Sequence, residues 1–207
     1  MKAQAALIEP KPYHHGDLRR ALLRAAVIVL EREGSSALSL RAVAREAGVS
    51  PAAPYHHFKD KSELLNAVAT EGFSRLRAAM ADALAAAHGE EMRSSLGVAY
   101  VEFAQAHPAL YRVMWDCVRN GEKLPEDAGH DGRAFELVKQ TLREAAGGGI
   151  SDLDLELTAI ASWCAAHGLA EISAFAQFKP LKDALGGERA FLKAVLNHLG
   201  GARRHHT

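Results

Sequence analysis

The stretch GVSPAAPYHHFKDK, residues 48–61, sets a serine, a tyrosine, two histidines and two lysines within one short span. These side chains suit a polyanion. Tyr55 and His56 can hydrogen-bond phosphate oxygens, and Lys59 and Lys61 can neutralise them. Small Ser50, Ala52 and Ala53 let a helix start come close to a groove floor, where an alanine methyl packs on a thymine methyl. His57 can equally face outward or pack between helices, whereas Phe58 reads as core.

A second group of chemically distinctive side chains lies further on. Tyr100, Phe103, Tyr111, Met114, Trp115 and Cys117 are followed by Trp163, Cys164, His167 and Phe175. Trp163 and His167 are four apart and share a helix face, with Gly168 beside them to permit close helix contact. Core packing is the ordinary reading of any one of these aromatics. A metal site from His107, His167, Cys117 and Cys164 requires four ligands converging in space, and no CxxC, HxxxH or HExxH spacing supports it, so no metal or other cofactor is expected. Without a Ser-His-Asp order, a Gly-rich phosphate loop or a carboxylate dyad, an enzyme is not expected either.

Helices must position both groups. Residues 16–34 carry Leu18, Leu22, Ala25, Ala26, Val29 and Leu30 on one broad face, with Asp17 at the start and Gly34 at the stop. Residues 38–47 form a short second helix with Leu40, Val43, Ala44 and Ala47 on one side, capped by Ser39 and ended by a left-handed Gly48. Ser50 is a natural cap and Pro51 a natural first residue for a third helix, in which Pro54 gives up one backbone bond. Asp60, with Glu63 as capping-box partner, opens a long fourth helix ending near His88. Further helices are expected at 90–106, 108–118, 130–146, 152–177 and 187–199. The expected fold is all-α: a flexible arm over 1–12, a helix-turn-helix domain over 13–60, a connecting helix over 61–88, and a larger helical domain over 89–207.

The chain of 207 residues balances 25 Lys and Arg against 25 Asp and Glu. Residues 1–65 hold ten basic and seven acidic residues, so the front carries +3 and the remainder −3. That asymmetry has the sign needed for nucleic acid. His14 and His15 precede the first helix, where an arm could follow the backbone or enter a minor groove. Cys117 and Cys164 read as reduced thiols, and with no basic, apolar, small-residue signal at the start, a cytoplasmic location is expected. The longest apolar runs, such as AAVIVL, are too short to cross a bilayer, so no membrane association is expected.

Residues 13–75 resemble the DNA-binding domain of the TetR family of transcriptional regulators, and SLRAVAREAGVSPAAPYHHFKDKSELL carries the resemblance. The back part is similar to the branch whose ligand domain is named for a Trp, a His and a Gly, here Trp163, His167 and Gly168 in ASWCAAHGLAEI, with AHPALYRVMW as a second match. The resemblance implies that the first three helices read DNA, the fourth connects, and the rest binds an effector and dimerises. It implies base approach by Ser50, Ala52 and Ala53, backbone or base contact by Tyr55 and His56, and a phosphate on Lys61. Ser39 and Arg41 at the start of the second helix, with Pro51 and Lys59, complete the DNA-facing set. Pro54 stands where the family more commonly has leucine.

The resemblance also implies an apolar effector pocket built from Phe103, Tyr111, Met114, Trp115, Trp163 and His167, with His167 as the polar orienting group. The expected protein is a ligand-responsive repressor, released from a near-palindromic double-stranded DNA operator by a small apolar effector. It is expected to act as a homodimer joined through residues 152–177 and 187–199. The other reading is a helical small-molecule-binding or interaction protein without sequence-specific DNA binding.

Overall fold

The structure is a computed structural model that describes residues 15–89, 91–121 and 133–201. The arm expected over residues 1–12, and His14 with it, lie outside the described residues. Those residues are helical throughout their regular structure and contain no strand. The helices are α1 (His15–Glu33), α2 (Leu40–Glu46), α3 (Lys61–Ala85), α4 (Glu91–Ala106), α5 (Pro108–Arg119), α6 (Arg133–Ala145), α7 (Asp152–Ile172), α8 (Lys179–Leu185) and α9 (Glu188–Gly201). Two compact units divide the chain, Met1–Leu64 and Leu65–Thr207.

In the first unit the apolar stripe of α1 meets α2 as its spacing predicts. Leu22, Ala26, Val29 and Leu30 are buried with Val43, Ala44 and Phe58, each larger side chain contributing about 1.5–3 kcal/mol by leaving water. Arg19 stacks its guanidinium 5.4 Å from the centre of the Phe58 ring, covering the edge of this core. Ser39 caps α2, its hydroxyl accepting from Ala42 N at 3.1 Å. At the other end Val49 N donates to Ala44 O at 3.0 Å and Gly48 N to Arg45 O at 3.2 Å, the paired bonds of a Schellman turn. That turn requires the φ of +67° that Gly48 adopts.

The expected third α-helix does not form. Ala53–His56 is a 3-10 helix preceded by a turn, and the cause is Pro54. In an α-helix beginning at Pro51, the amide of residue 54 donates to Ser50 O, and proline has no N–H to give while its ring crowds that carbonyl. Ser50 O accepts instead from Ala53 N at 3.0 Å, one residue earlier. Ser50 is therefore not the cap of this element, because Ala52 occupies that position without a side-chain cap bond. Asp60 does cap α3: Glu63 N donates to Asp60 Oδ1 at 2.9 Å, while Glu63 Oε2 accepts from Lys59 N at 2.7 Å.

In the second unit α4 is central. It runs in the same direction as α7, since Tyr100 meets Trp163 and Gln105 meets Ser173. It runs antiparallel to α9, with Lys193 bonded to Glu91 and Arg189 to Glu102. Helix α6 is antiparallel to α7, as Phe135 against Trp163 and Lys139 against Glu156 require.

The expected helix 152–177 ends early, at Ile172, and the chain then makes a 3-10 turn (Ala176–Phe178) and the short α8, which the sequence reading lacked. Pro180, in the first turn of α8, starts that helix as a proline can, and the ammonium of Lys182 bonds the buried Ser173 carbonyl left open at the end of α7. Gly168 makes no close contact within the chain, contrary to expectation: a Cβ there meets nothing within 4 Å. The close approaches are at Gly72, where a Cβ would lie 2.6 Å from Met114 Sδ, and at Gly97, where it would lie 2.8 Å from Leu196 Cδ1.

Candidate nucleic-acid interface and effector cavity

The polar surface of the first unit is built on the 3-10 element. Ser50, Pro51, Ala52, Tyr55, His56, Lys59 and Lys61 are all exposed, as is Arg41 on α2, while Ala53 and Ser39 are half-buried. Tyr55 is 53% exposed, an unusual state for a tyrosine that packing does not explain. Pro54 and Phe58 turn inward and hold the segment to the core, and His57 is half-buried with its ring centre 6.5 Å from that of Phe58. Lys61 is held in place: its ammonium donates to Ser35 O at 3.0 Å in the turn after α1. Two of its three protons stay free for an anion. Ser39 already accepts from Ala42 N, which leaves its O–H to donate outward.

In the second unit a cavity of about 400 Å³ opens among α3, α4, α6, α7 and α9. That lies within the range of small-molecule sites. Its walls are mostly apolar, with Leu96, Val138, Leu142 and Leu196 among them, and Tyr100 and Trp163 form one side. The polar groups are few: Arg93, Ser94, Thr141, Thr158 and Ser162. Ser94, Thr141 and Ser162 donate to carbonyls of their own helices. The Thr158 hydroxyl is buried and has no partner.

Of the six side chains expected to line a ligand pocket, Trp163 alone does so. The other five are absent from its lining: Tyr111, Trp115 and His167 cluster with Tyr100, and Phe103 and Met114 pack elsewhere. Tyr111 OH lies 2.7 Å and Tyr100 OH 2.9 Å from His167 Nδ1, with the two hydroxyls 3.2 Å apart. Trp115 sits edge-on to His167 with ring centres 4.9 Å apart. Met114 is fully buried against Gly72, and Phe103 packs on His107. The space between these helices is filled by rings, which leaves the ligand-sized volume beside α6.

Burial, reinforced by the bond to Tyr111, drives the Tyr100 phenol far above its ordinary value, and burial pushes Tyr111 up to about 12. Burial lowers His167, with Glu171 acting in the opposite sense and Arg119 adding to the shift. A neutral imidazole accepting at Nδ1 fits both. Arg93 and Thr158, which line the cavity, have no place in the sequence reading, and Tyr100 is grouped there with the other aromatics without being assigned to the pocket. Among the described residues no three His, Cys, Asp or Glu converge as a metal group, and no helix is long and apolar enough to cross a membrane.

A short helix, a glycine turn and an exposed reading segment, packed on a longer first helix, form a DNA-reading module, and a helical unit with a cavity follows it. The family model for bacterial regulatory proteins of the tetR family matches residues 22–68, and the model described as the tetracyclin repressor-like C-terminal domain matches residues 93–196. A solved structure of a protein of unknown function from Rhodococcus sp. RHA1 is similar at 36% identity and a TM-score of 0.73, covering 92% of this chain and 97% of that one. The TetR family transcriptional regulator PfmR from Thermus thermophilus shares the fold at 19% identity, with a TM-score of 0.59 over 86% of this chain and 96% of that one. A TetR family regulator from Marinobacter aquaeolei VT8 does so at 20% identity, with a TM-score of 0.61 over 90% and 95%. The chain belongs to the TetR family of transcriptional regulators, DNA-binding proteins that are not enzymes. The comparisons reach the family and not the Trp-His-Gly subtype.

Proposed function

We propose that this regulator is a homodimeric repressor that leaves a near-palindromic operator when a small molecule fills the cavity beside α6. The cavity carries the reading: a roomy, mostly apolar space with one buried, unpartnered hydroxyl is costly to maintain in a core that needs only to be stable. On DNA, Tyr55, His56, Lys59 and Lys61 take the backbone, while Ser50, Pro51, Ala52 and Ala53 approach the bases, with Ser39 and Arg41 at the flank. Helix α3, which supplies Lys61 to the first unit and Met80 to the cavity wall, is the covalent link between the two events.

The second copy has an apolar face to meet. Leu153, Leu157, Ile160 and Ile172 are exposed along α7, with Cys164 at the centre of the stripe and Gly168 open beside it, and Phe175 is exposed just after the helix. Leu181 and Leu185 of α8 are exposed too, beside Ala194, Val195 and His198 of α9. A twofold contact is self-complementary, and the small residues at its middle allow helices to cross closely. Leu196 of α9, although on a helix expected at the interface, faces inward against Gly97.

Selection of bound duplexes from random DNA by the purified protein tests the operator. An inverted repeat with half-sites about one helical turn apart is the expected result. A pool that stays random while the protein still binds small molecules supports the interaction-protein reading instead.

A further inference from the structure

The geometry points to a specific effector chemistry: the cavity takes an apolar-bodied molecule ending in a single carboxylate, its body against Tyr100 and Trp163 and its carboxylate between Arg93 and Thr158. This rests on the cavity being the effector site. The contacts of Tyr100 with Trp163 and of Gln105 with Ser173 set α4 and α7 side by side in the same direction, and Arg93 and Thr158, each N-terminal to the aromatic pair on its own helix, both line the cavity. Seven residues of α4 separate Arg93 from Tyr100, roughly 10 Å of helix. The cavity is thus polar at one end and aromatic at the other.

Two observations give the polar end its charge and its hydrogen bond. Arg93 lines the cavity and pairs with no carboxylate among the described residues, so its charge is available to a ligand. The Thr158 hydroxyl, buried and unpartnered, can donate to a carboxylate oxygen that Arg93 grips from the other side. Arg93 is the one cation among the described lining residues, so one negative charge is matched and a dianionic phosphate is left half neutralised. The remaining hydroxyls of Ser94, Thr141 and Ser162 are engaged with their own backbone and add no further donor. The apolar walls carry the body of the ligand.

The test uses the full-length protein, straight-chain and phenyl-substituted carboxylic acids of roughly six to twelve carbons, a size that fits such pockets, and the matching primary alcohols. Binding is read by calorimetry and by intrinsic tryptophan fluorescence. The acids are expected to bind about tenfold or more tighter than their alcohols, and Arg93→Gln to erase that preference by weakening the acids far more than the alcohols. Arg93 is exposed, so the variant keeps its fold. Thr158→Val should weaken the acids about tenfold without lowering the melting temperature, because the hydroxyl it removes satisfies nothing in the free protein. Equal affinity of acids and alcohols in the wild type overturns the carboxylate and leaves the effector site standing. Failure of both series to bind overturns the site itself.

Discussion

Tyr111 OH stands 2.7 Å from His167 Nδ1, joining α5 to α7 through a half-buried imidazole whose proton affinity burial lowers. The folded protein therefore declines a proton that the unfolded chain takes up near pH 6.5. The stabilisation is whole above that pH and is lost as the pH falls through and below it. Urea unfolding of the wild type and of His167→Gln between pH 8 and pH 5 should show the wild type ahead at the alkaline end and the gap narrowing on acidification. A gap independent of pH would show that His167 is not the titrating lock.

Lys61 is pinned to Ser35 O and presents its charge from a fixed place. Lys61→Met should weaken binding to every DNA sequence alike and lower the slope of log affinity against log salt by about one. Tyr55→Phe should also act evenly across sequences but leave the salt slope alone. Either variant changing the selected consensus would move that side chain from the backbone to the bases.

The exposed stripe on α7 predicts that Leu157→Asp weakens the dimer about a hundredfold or more, since it forces a carboxylate into an apolar contact. Sedimentation measures it. Mild oxidation should cross-link wild-type subunits through exposed Cys164, whereas buried Cys117 stays reduced. A Cys164→Ser protein that still cross-links, or a Leu157→Asp protein that remains dimeric at nanomolar concentration, places the interface elsewhere.

The two crowded glycines should respond differently to alanine. A Cβ at Gly72 meets Met114, which is wholly buried and has no room to retreat, so Gly72→Ala should cost about 1–3 kcal/mol in denaturant unfolding. At Gly97 the neighbour is the tip of Leu196, which borders the cavity and can turn into it. Gly97→Ala should be near neutral in stability, because helix propensity offsets the contact, and should weaken ligand binding by shrinking the space.

Much of the first unit could be read from the sequence because its signals are local and agree with one another. The apolar stripe of α1, the Ser39 cap and the Gly48 turn each act within a few residues, and each is found. The segment after Gly48 carried two competing signals, a good helix start at Ser50-Pro51 and a missing donor at Pro54. The missing donor prevailed, since a backbone bond that cannot form outweighs a favourable first residue. Helix α8 was missed because it is a single short stretch whose start depends on Pro180 and whose hold on α7 depends on Lys182, neither visible as periodicity. Of the aromatic group named from the sequence, Tyr100, Tyr111, Trp115, Trp163 and His167 meet, while Phe103 packs on His107 and Phe175 and Cys164 are exposed, because whether rings come together depends on how α4, α5 and α7 pack. Arg93 and Thr158 are ordinary helix residues far apart in the chain, and only the packing of α4 beside α7 brings both to the wall of one cavity.

Pro51 and Pro54 hold their φ angles near about −65° in any state of the chain, so the exposed reading segment between α2 and α3 has little conformational freedom left to lose. Its speed of association is then governed by diffusional encounter and electrostatic steering, with no ordering step in between. The same stiffness denies it accommodation: a half-site of slightly different width cannot be met by winding another turn of helix, because the bond that would propagate it lacks a donor. On the proposed DNA-binding mode, tolerance of imperfect sites has to come from the DNA, through steps that bend or narrow easily, and the expected consensus carries flexible pyrimidine–purine steps beside the contacted bases.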